Sequence, residues 1–316
     1  MGILENLENL KKEDLERVIE LFCIEKNRNN EKVFQEIEKV YLENLGKLYH
    51  YLPIETHNFL ELYFKNNGVV PDSESLFECV IDFEKLGLCP FEEEDDEDSE
   101  FIKIDLDTKI AKPLYDFLNN NKELISKEIE LYNVVSGILN TYLGLKFTDF
   151  LEILKTLNIF KAEHEIMDFL KYKIGSDIYD FYFSPNDELF IANRYIHNSE
   201  DIIEKVLSYK GERKIHSLNQ YINLSYDNII EDEIENILST INSEDISDYD
   251  DAYIGFYLMR NALFDLPCEE CLKDIKNMVP AIDTDNSVVK ENIAKFYNKV
   301  PLAFEGGIIK PNRVTL

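Results

Sequence analysis

Lys11-Lys12-Glu13-Asp14-Leu15-Glu16-Arg17-Val18-Ile19-Glu20-Leu21-Phe22 places Leu15, Val18, Ile19 and Phe22 at i, i+3, i+4 and i+7. That spacing puts an apolar stripe on one face of a helix and predicts a helix over 12–27. The same period continues outward. A second helix fits Glu31 to Tyr51. A third starts near Thr56, read as its N-cap, and stops at Asn67-Gly68. Ser73 opens a fourth, with Leu76, Val80, Ile81 and Phe83 on its apolar side and Gly87 at its end. The fold class expected is mainly α, multi-helical, with only two short β-hairpins.

After Gly87 the period changes. Leu88-Cys89-Pro90-Phe91 and Phe101-Ile102-Lys103-Ile104 read as short strands around the acidic stretch Glu92 to Glu100. Helices followed by a small hairpin resemble a winged-helix unit, with the acidic stretch as the wing tip. Eight of the nine wing residues are Asp or Glu, which argues against contact with a nucleic-acid backbone.

A similar order returns downstream. Helical patterns fit Glu128–Tyr142, Phe147–Leu157 and His164–Tyr172, and a hairpin follows, with Ile178–Phe183 and Glu188–Ala192 around the turn Ser184-Pro185-Asn186-Asp187. This suggests a second winged-helix-like unit. Further helices fit Glu200–Tyr209, Ile229–Ile241, Asp250–Phe264, Glu269–Met278 and Asn286–Tyr297, with a loop at Asn242–Asp251 and an irregular tail from Glu305. The expected domains are residues 1–110, 111–195 and 196–316.

The chain of 316 residues carries 33 Lys+Arg against 63 Asp+Glu, a formal net charge of −30. Its 45% apolar content suits a folded protein, and scarce Gly and Pro exclude collagen-like and mucin-like classes. The charge repels polyanions and anionic membrane surfaces, so neither direct nucleic-acid binding nor membrane association is expected. The acidic start, with Asn6 where a myristoylation pattern wants Ser or Thr, predicts neither a signal peptide nor that lipid. The longest uncharged run, Tyr132–Leu145, is too short to span a bilayer. Five cysteines, an odd number, point to free thiols in a reducing compartment, and the expected location is cytoplasmic.

Four stretches carry a family resemblance: Leu7–Leu15, Leu86-Gly87-Leu88 with Ile102-Lys103-Ile104, Gly137–Gly144, and Asn298 through Gly307 to Pro311-Asn312. In these the chain resembles an uncharacterised family from low-GC Gram-positive bacteria and their mobile elements. That family is related to proteins with a SEC-C metal-binding motif and a Rho-N-like or SAP-like N-terminal segment. The resemblance implies helical and winged-helix-like regions. The Cys-rich terminal motif does not follow Pro311 here, so metal binding is not carried over.

Candidate sites are few. Cys268-Glu269-Glu270-Cys271 sets two thiols in the first turn of a helix, where the dipole lowers a thiol pKa, but zinc needs four ligands. His50, His57, His164, His197 and His216 are isolated. Asp168 stands where a zincin helix needs its second His. Asp283-Thr284-Asp285 opens like an EF-hand loop, yet Val288 and Ala294 occupy its diagnostic Gly and Glu positions, so an N-cap near Asp285 is the better account. Gly306-Gly307 lacks the Lys-Ser/Thr of a phosphate loop. No catalytic, cofactor-binding or metal-binding residue is assigned, and no cofactor is expected.

The function expected from these readings is a non-enzymatic, acidic interaction or regulatory protein that binds a basic protein surface. Its partner-binding residues would be Glu92, Glu93, Glu94, Asp95, Asp96, Glu97, Asp98 and Glu100. A second place for the surface is around Tyr253, Phe256 and Tyr257, where aromatic residues are dense. The alternative is a phage or mobile-element inhibitor that mimics nucleic acid against a nucleic-acid-handling enzyme. A third is an enzyme whose site is assembled from distant residues, such as carboxylates near His57 or Tyr182.

Overall fold

The computed structural model describes residues 2–25, 29–71, 74–90, 101–159, 163–174, 179–183, 188–193, 205, 208–209, 211–242, 245–247, 250–311 and 313–314. The fold is mainly helical, with two small antiparallel sheets of two and three strands. The chain forms two compact units. Unit 1 comprises Met1–Ile129 with Met167–Gly175, and unit 2 comprises Glu130–Ile166 with Ser176–Leu316.

Unit 1 begins with α1 (Ile3–Asn9), α2 (Lys12–Leu21), α3 (Asn30–Glu43), α4 (Leu45–His50) and α5 (Thr56–Lys65). The stripe on α2 faces the core as its spacing demands: Val18 and Phe22 are buried. The single helix expected over 31–51 is two helices. Asn44 breaks it with φ −133° and ψ 52°, and its amide donates back to the Val40 carbonyl at 3.1 Å. A short amide that binds its own turn competes with helix propagation. Thr56 is the first helical residue and not the cap, because its hydroxyl donates to the Pro53 carbonyl at 2.7 Å.

Next come β1 (Val69–Pro71), α6 (Glu74–Lys85), β2 (Phe101–Lys103) and α7 (Thr108–Asn120). Gly87 ends the α6 segment at φ +70°, with its N–H on the Glu84 carbonyl and Leu88 N–H on the Phe83 carbonyl, the two bonds of a Schellman cap. The first hairpin is paired differently from the expectation. β2 pairs with β1, Val70 opposite Ile102, and Leu88–Pro90 forms no strand. Leu88 and Cys89 lie in the core, and the Leu88 carbonyl accepts from Asp107 N–H at 2.8 Å. A segment turned inward by the Gly87 cap has no free edge for a ladder. Asp107 is itself buried; it caps α7 through Lys109 N–H and takes the Ile3 backbone N–H on its other oxygen.

Unit 1 is completed by residues from α8 (Lys122–Tyr142), from α10 (Glu163–Phe169) and from a single π-helical turn, Leu170–Ile174. In that turn Lys173 is buried. Its ammonium donates to the Tyr49 carbonyl at 2.6 Å, lies 3.3 Å from Glu128 Oε2, and sits 3.4 Å from the Tyr49 ring centroid.

Unit 2 holds the three-stranded sheet β3-β5-β4, from β3 (Gly144–Lys146), β4 (Tyr179–Phe183) and β5 (Leu189–Asn193). The β4–β5 hairpin is the one expected over 178–192, with Phe181 opposite Ile191. The third strand, β3, is too short to show alternation. Beside it is α9 (Phe147–Thr156). Next, α11 (Leu218–Asn223) buries Tyr221, and four further helices share one core: α12 (Tyr226–Leu238), α13 (Asp250–Leu263), α14 (Cys268–Met278) and α15 (Ser287–Lys299). Ile254, Leu258, Ile275, Ile293 and Phe296 are fully buried there, each stabilising by about 1.5–3 kcal/mol relative to an exposed side chain. A 3-10 turn, Ala303–Glu305, and the bridge Leu302–Ile308 give the tail local structure.

Candidate interaction surface

α13 is amphipathic in an unusual sense: its outer face is aromatic. The inner face buries Ile254, Gly255, Leu258, Met259 and Ala262. Outward, Tyr253 is 38% exposed and Phe256 is 42% exposed, values that leave large ring surface in water. Phe256 meets Tyr257 edge-on at 5.2 Å, so the two rings hold each other in place.

The helix is fixed at both ends. At its start, the Asp250 carboxylate accepts from the Ser247 backbone N–H at 3.0 Å and from its hydroxyl at 2.7 Å. Near its end, the Asn261 amide bridges the Tyr257 carbonyl at 2.8 Å and Asp274 of α14 at 3.2 Å. Arg260 lies 4.0 Å from the same Asp274 and 5.6 Å from the Phe264 ring. The tail is tied to this helix as well: Arg313 pairs with Asp265 and donates to the Ala262 carbonyl at 3.3 Å.

The segment that carries the rings is acidic. The sequence from Tyr226 to Met278, which spans α12 to α14, has 14 Asp or Glu against Arg260, Lys273 and Lys276, a net −11. Exposed Glu231, Asp232 and Glu235 lie on α12, Asp251 on α13, and Glu269 and Glu270 on α14. Two exposed aromatic rings therefore stand on a helix that belongs to an acidic stretch of the chain.

The other candidates take different places. Glu92, Glu93, Glu94, Asp95, Asp96, Glu97, Asp98 and Glu100 lie outside the described residues, as does His197. Cys268 and Cys271 are buried. Burial pushes Cys268 up to about 11 and pushes Cys271 up still further, so desolvation overrides the helix-dipole effect expected from sequence. The Cys271 thiol instead donates to the Tyr257 carbonyl at 3.7 Å. It is a packing residue of the α13–α14 pair.

Three of the described histidines meet separate partners. His57 meets Asn119 at 3.3 Å, and His50 lies 3.9 Å from Asp168. His216 is buried, with Nε2 on the Gly307 carbonyl at 2.7 Å, and burial lowers its pKa. Asn286, next to Asp285, caps α15 through Val288 N–H at 2.9 Å, while Asp283 accepts from Asp285 N–H at 3.0 Å. Among the described residues no three His, Cys, Asp or Glu side chains converge in a metal-binding geometry. No described helix is long and apolar enough to cross a membrane. Tyr253 and Phe256 were legible as a dense aromatic group; their outward orientation was not. No protein family, curated protein or solved structure matches the chain.

Proposed function

We propose that the protein is a non-enzymatic interaction or regulatory protein whose α13 face binds a basic partner protein. The observation that carries this reading is the exposure of Tyr253 and Phe256 on one face of a rigidly capped helix, within a segment of net charge −11. Aromatic side chains are the usual anchors of protein interfaces, and acidic neighbours select a cationic partner and speed its approach. A second copy of the chain is a poor occupant, since two bodies of charge −30 repel. The resemblance to the SEC-C-related family belongs to the same proposal.

The test is affinity capture from the native host with wild type and with Tyr253→Ser/Phe256→Ser, at low and high salt. Support is a basic protein retained by wild type, lost from the double variant and weakened as salt screens the field, since the Debye length is about 8 Å at physiological ionic strength. Equal retention by the double variant sinks the reading. If the captured protein handles nucleic acid and DNA competes for the same surface, the partner class narrows to the mimic alternative.

A further inference from the structure

Unit 1 contains a gathering of cations that a chain with 63 acidic and 33 basic residues does not produce by default. Its centre is an aromatic cluster. Tyr172 of the π-helical turn meets Tyr51 edge-on at 4.8 Å, Tyr51 meets Phe22 at 5.5 Å, and the His50 ring lies 5.1 Å from Tyr51 and 5.9 Å from Tyr172. Three cations sit on these rings. Arg17 is 5.9 Å and Lys171 is 4.9 Å from the Tyr172 centroid, and Lys47 is 5.2 Å from the Phe22 centroid.

The elements that deliver them are far apart in sequence: α2 gives Arg17 and Phe22 stands at its end, α4 gives Lys47 and His50, and the π-helical turn gives Lys171 and Tyr172. A π-turn inside a helix is a local irregularity that recurs at functional sites. Asp168 lies 3.9 Å from His50 of the cluster, while Glu128 is engaged with buried Lys173. Glu16 and Glu20 are on α2 as well, exposed, with Glu16 paired to Lys12 at 3.9 Å. Cation–π contacts hold each cation in place at about 0.5–2 kcal/mol apiece, which lowers the ordering cost of binding an anion.

We propose that Arg17, Lys47 and Lys171 form a binding site for a phosphate-bearing ligand, distinct from the α13 surface and independent of the function proposed for it. The Arg17 guanidinium supplies a planar fork that matches two phosphate oxygens, and the two ammonium groups add point charges from the same aromatic cluster. Tyr51 and His50, both partly exposed, offer ring faces for a planar base if the phosphate belongs to a nucleotide.

The experiment is calorimetric titration of the full chain with inorganic phosphate, ADP and adenosine in separate arms. Arg17→Gln and Lys171→Gln test the site, and Lys155→Gln, an exposed cation on α9 of unit 2, is the control. Lys171 is exposed, so its variant keeps the test intact even if Arg17→Gln fails to fold. The expected result is binding of a phosphate-bearing probe that weakens about tenfold or more in both site variants, the loss of one charge-assisted contact, and is unchanged in the control. Binding of phosphate alone and of ADP assigns a phosphate site; binding of ADP only assigns a nucleotide site. Adenosine binding with the same affinity as ADP, site variants with unchanged affinity, or no heat from either phosphate-bearing probe at millimolar concentration overturns the proposal.

Discussion

The carbonyl oxygen of Tyr221 lies 1.8 Å from the position a Cβ would take on Gly137, and the Tyr221 carbonyl carbon lies 2.6 Å from it. Gly137 is therefore the point at which the backbone of α11 presses directly on α8. The contact is reinforced nearby. Asn140, one turn on, donates to the Leu224 carbonyl at 2.8 Å, and the hydroxyls of Tyr142 and Tyr221 meet at 2.8 Å.

Gly137→Ala should destabilise the protein despite the better helix propensity of alanine. Propensity gains about 1 kcal/mol, while overpacking against rigid backbone costs about 1–3 kcal/mol or more, because a carbonyl cannot rotate away as a side chain can. Denaturant unfolding should show a lower midpoint in the variant. A raised midpoint would mean that α11 moves freely off α8.

Lys173 should give an alkaline signature. Burial lowers its pKa to about 8, against the opposing pull of Glu128. Between pH 8 and the ordinary value of 10.5 the unfolded chain binds the proton that the folded chain has released, so this group adds stability as pH rises through that window. Lys173→Met should lose that rise relative to wild type, measured by unfolding at pH 7.5, 8.5 and 9.5. Parallel pH profiles for the two proteins would show that the amine does not titrate there.

Glu84 should act in the opposite sense near neutrality. Desolvation raises its carboxyl to about 7, with Lys11 and Lys85 pulling it back. Between the ordinary 4.5 and 7 the folded chain holds a proton that the unfolded chain lacks, so stability from this group falls as pH rises. Glu84→Gln keeps the neutral shape and should be steadier between pH 5 and 8. A variant that keeps the wild-type slope would assign the slope to another group.

The thiols should separate into one fast and four slow. Cys23 is exposed, whereas Cys79, Cys89, Cys268 and Cys271 are buried, and burial raises the pKa of Cys79, Cys268 and Cys271. The thiolate is the reactive form, so a disulfide reagent should label Cys23 first and the others only as the chain unfolds. Rapid labelling of Cys268 in the native protein would contradict the packing of α14.

Local pattern was enough to specify the α2 stripe, the Gly87 cap and the β4–β5 hairpin, because each depends on neighbours within a few residues: a 3.6 period, a residue at positive φ, a two-residue alternation. The mainly helical class followed from the same signals. The aromatic group at Tyr253, Phe256 and Tyr257 was visible too, as composition. Its direction was decided by the tertiary structure, which chose Ile254, Leu258 and Met259 for the core and left Tyr253 and Phe256 outside. Pairing of β2 with β1 was likewise a long-range choice, since Leu88 and Cys89 are just as strand-like in sequence but are claimed by the core. Most of all, nothing local sends residues 167–175 to the N-terminal unit. Lys171, Tyr172 and Lys173 gain their meaning only from Arg17, Tyr49, Tyr51 and Glu128, partners at least 40 residues away, and burial and charge between such distant residues exist only once the chain has closed on itself.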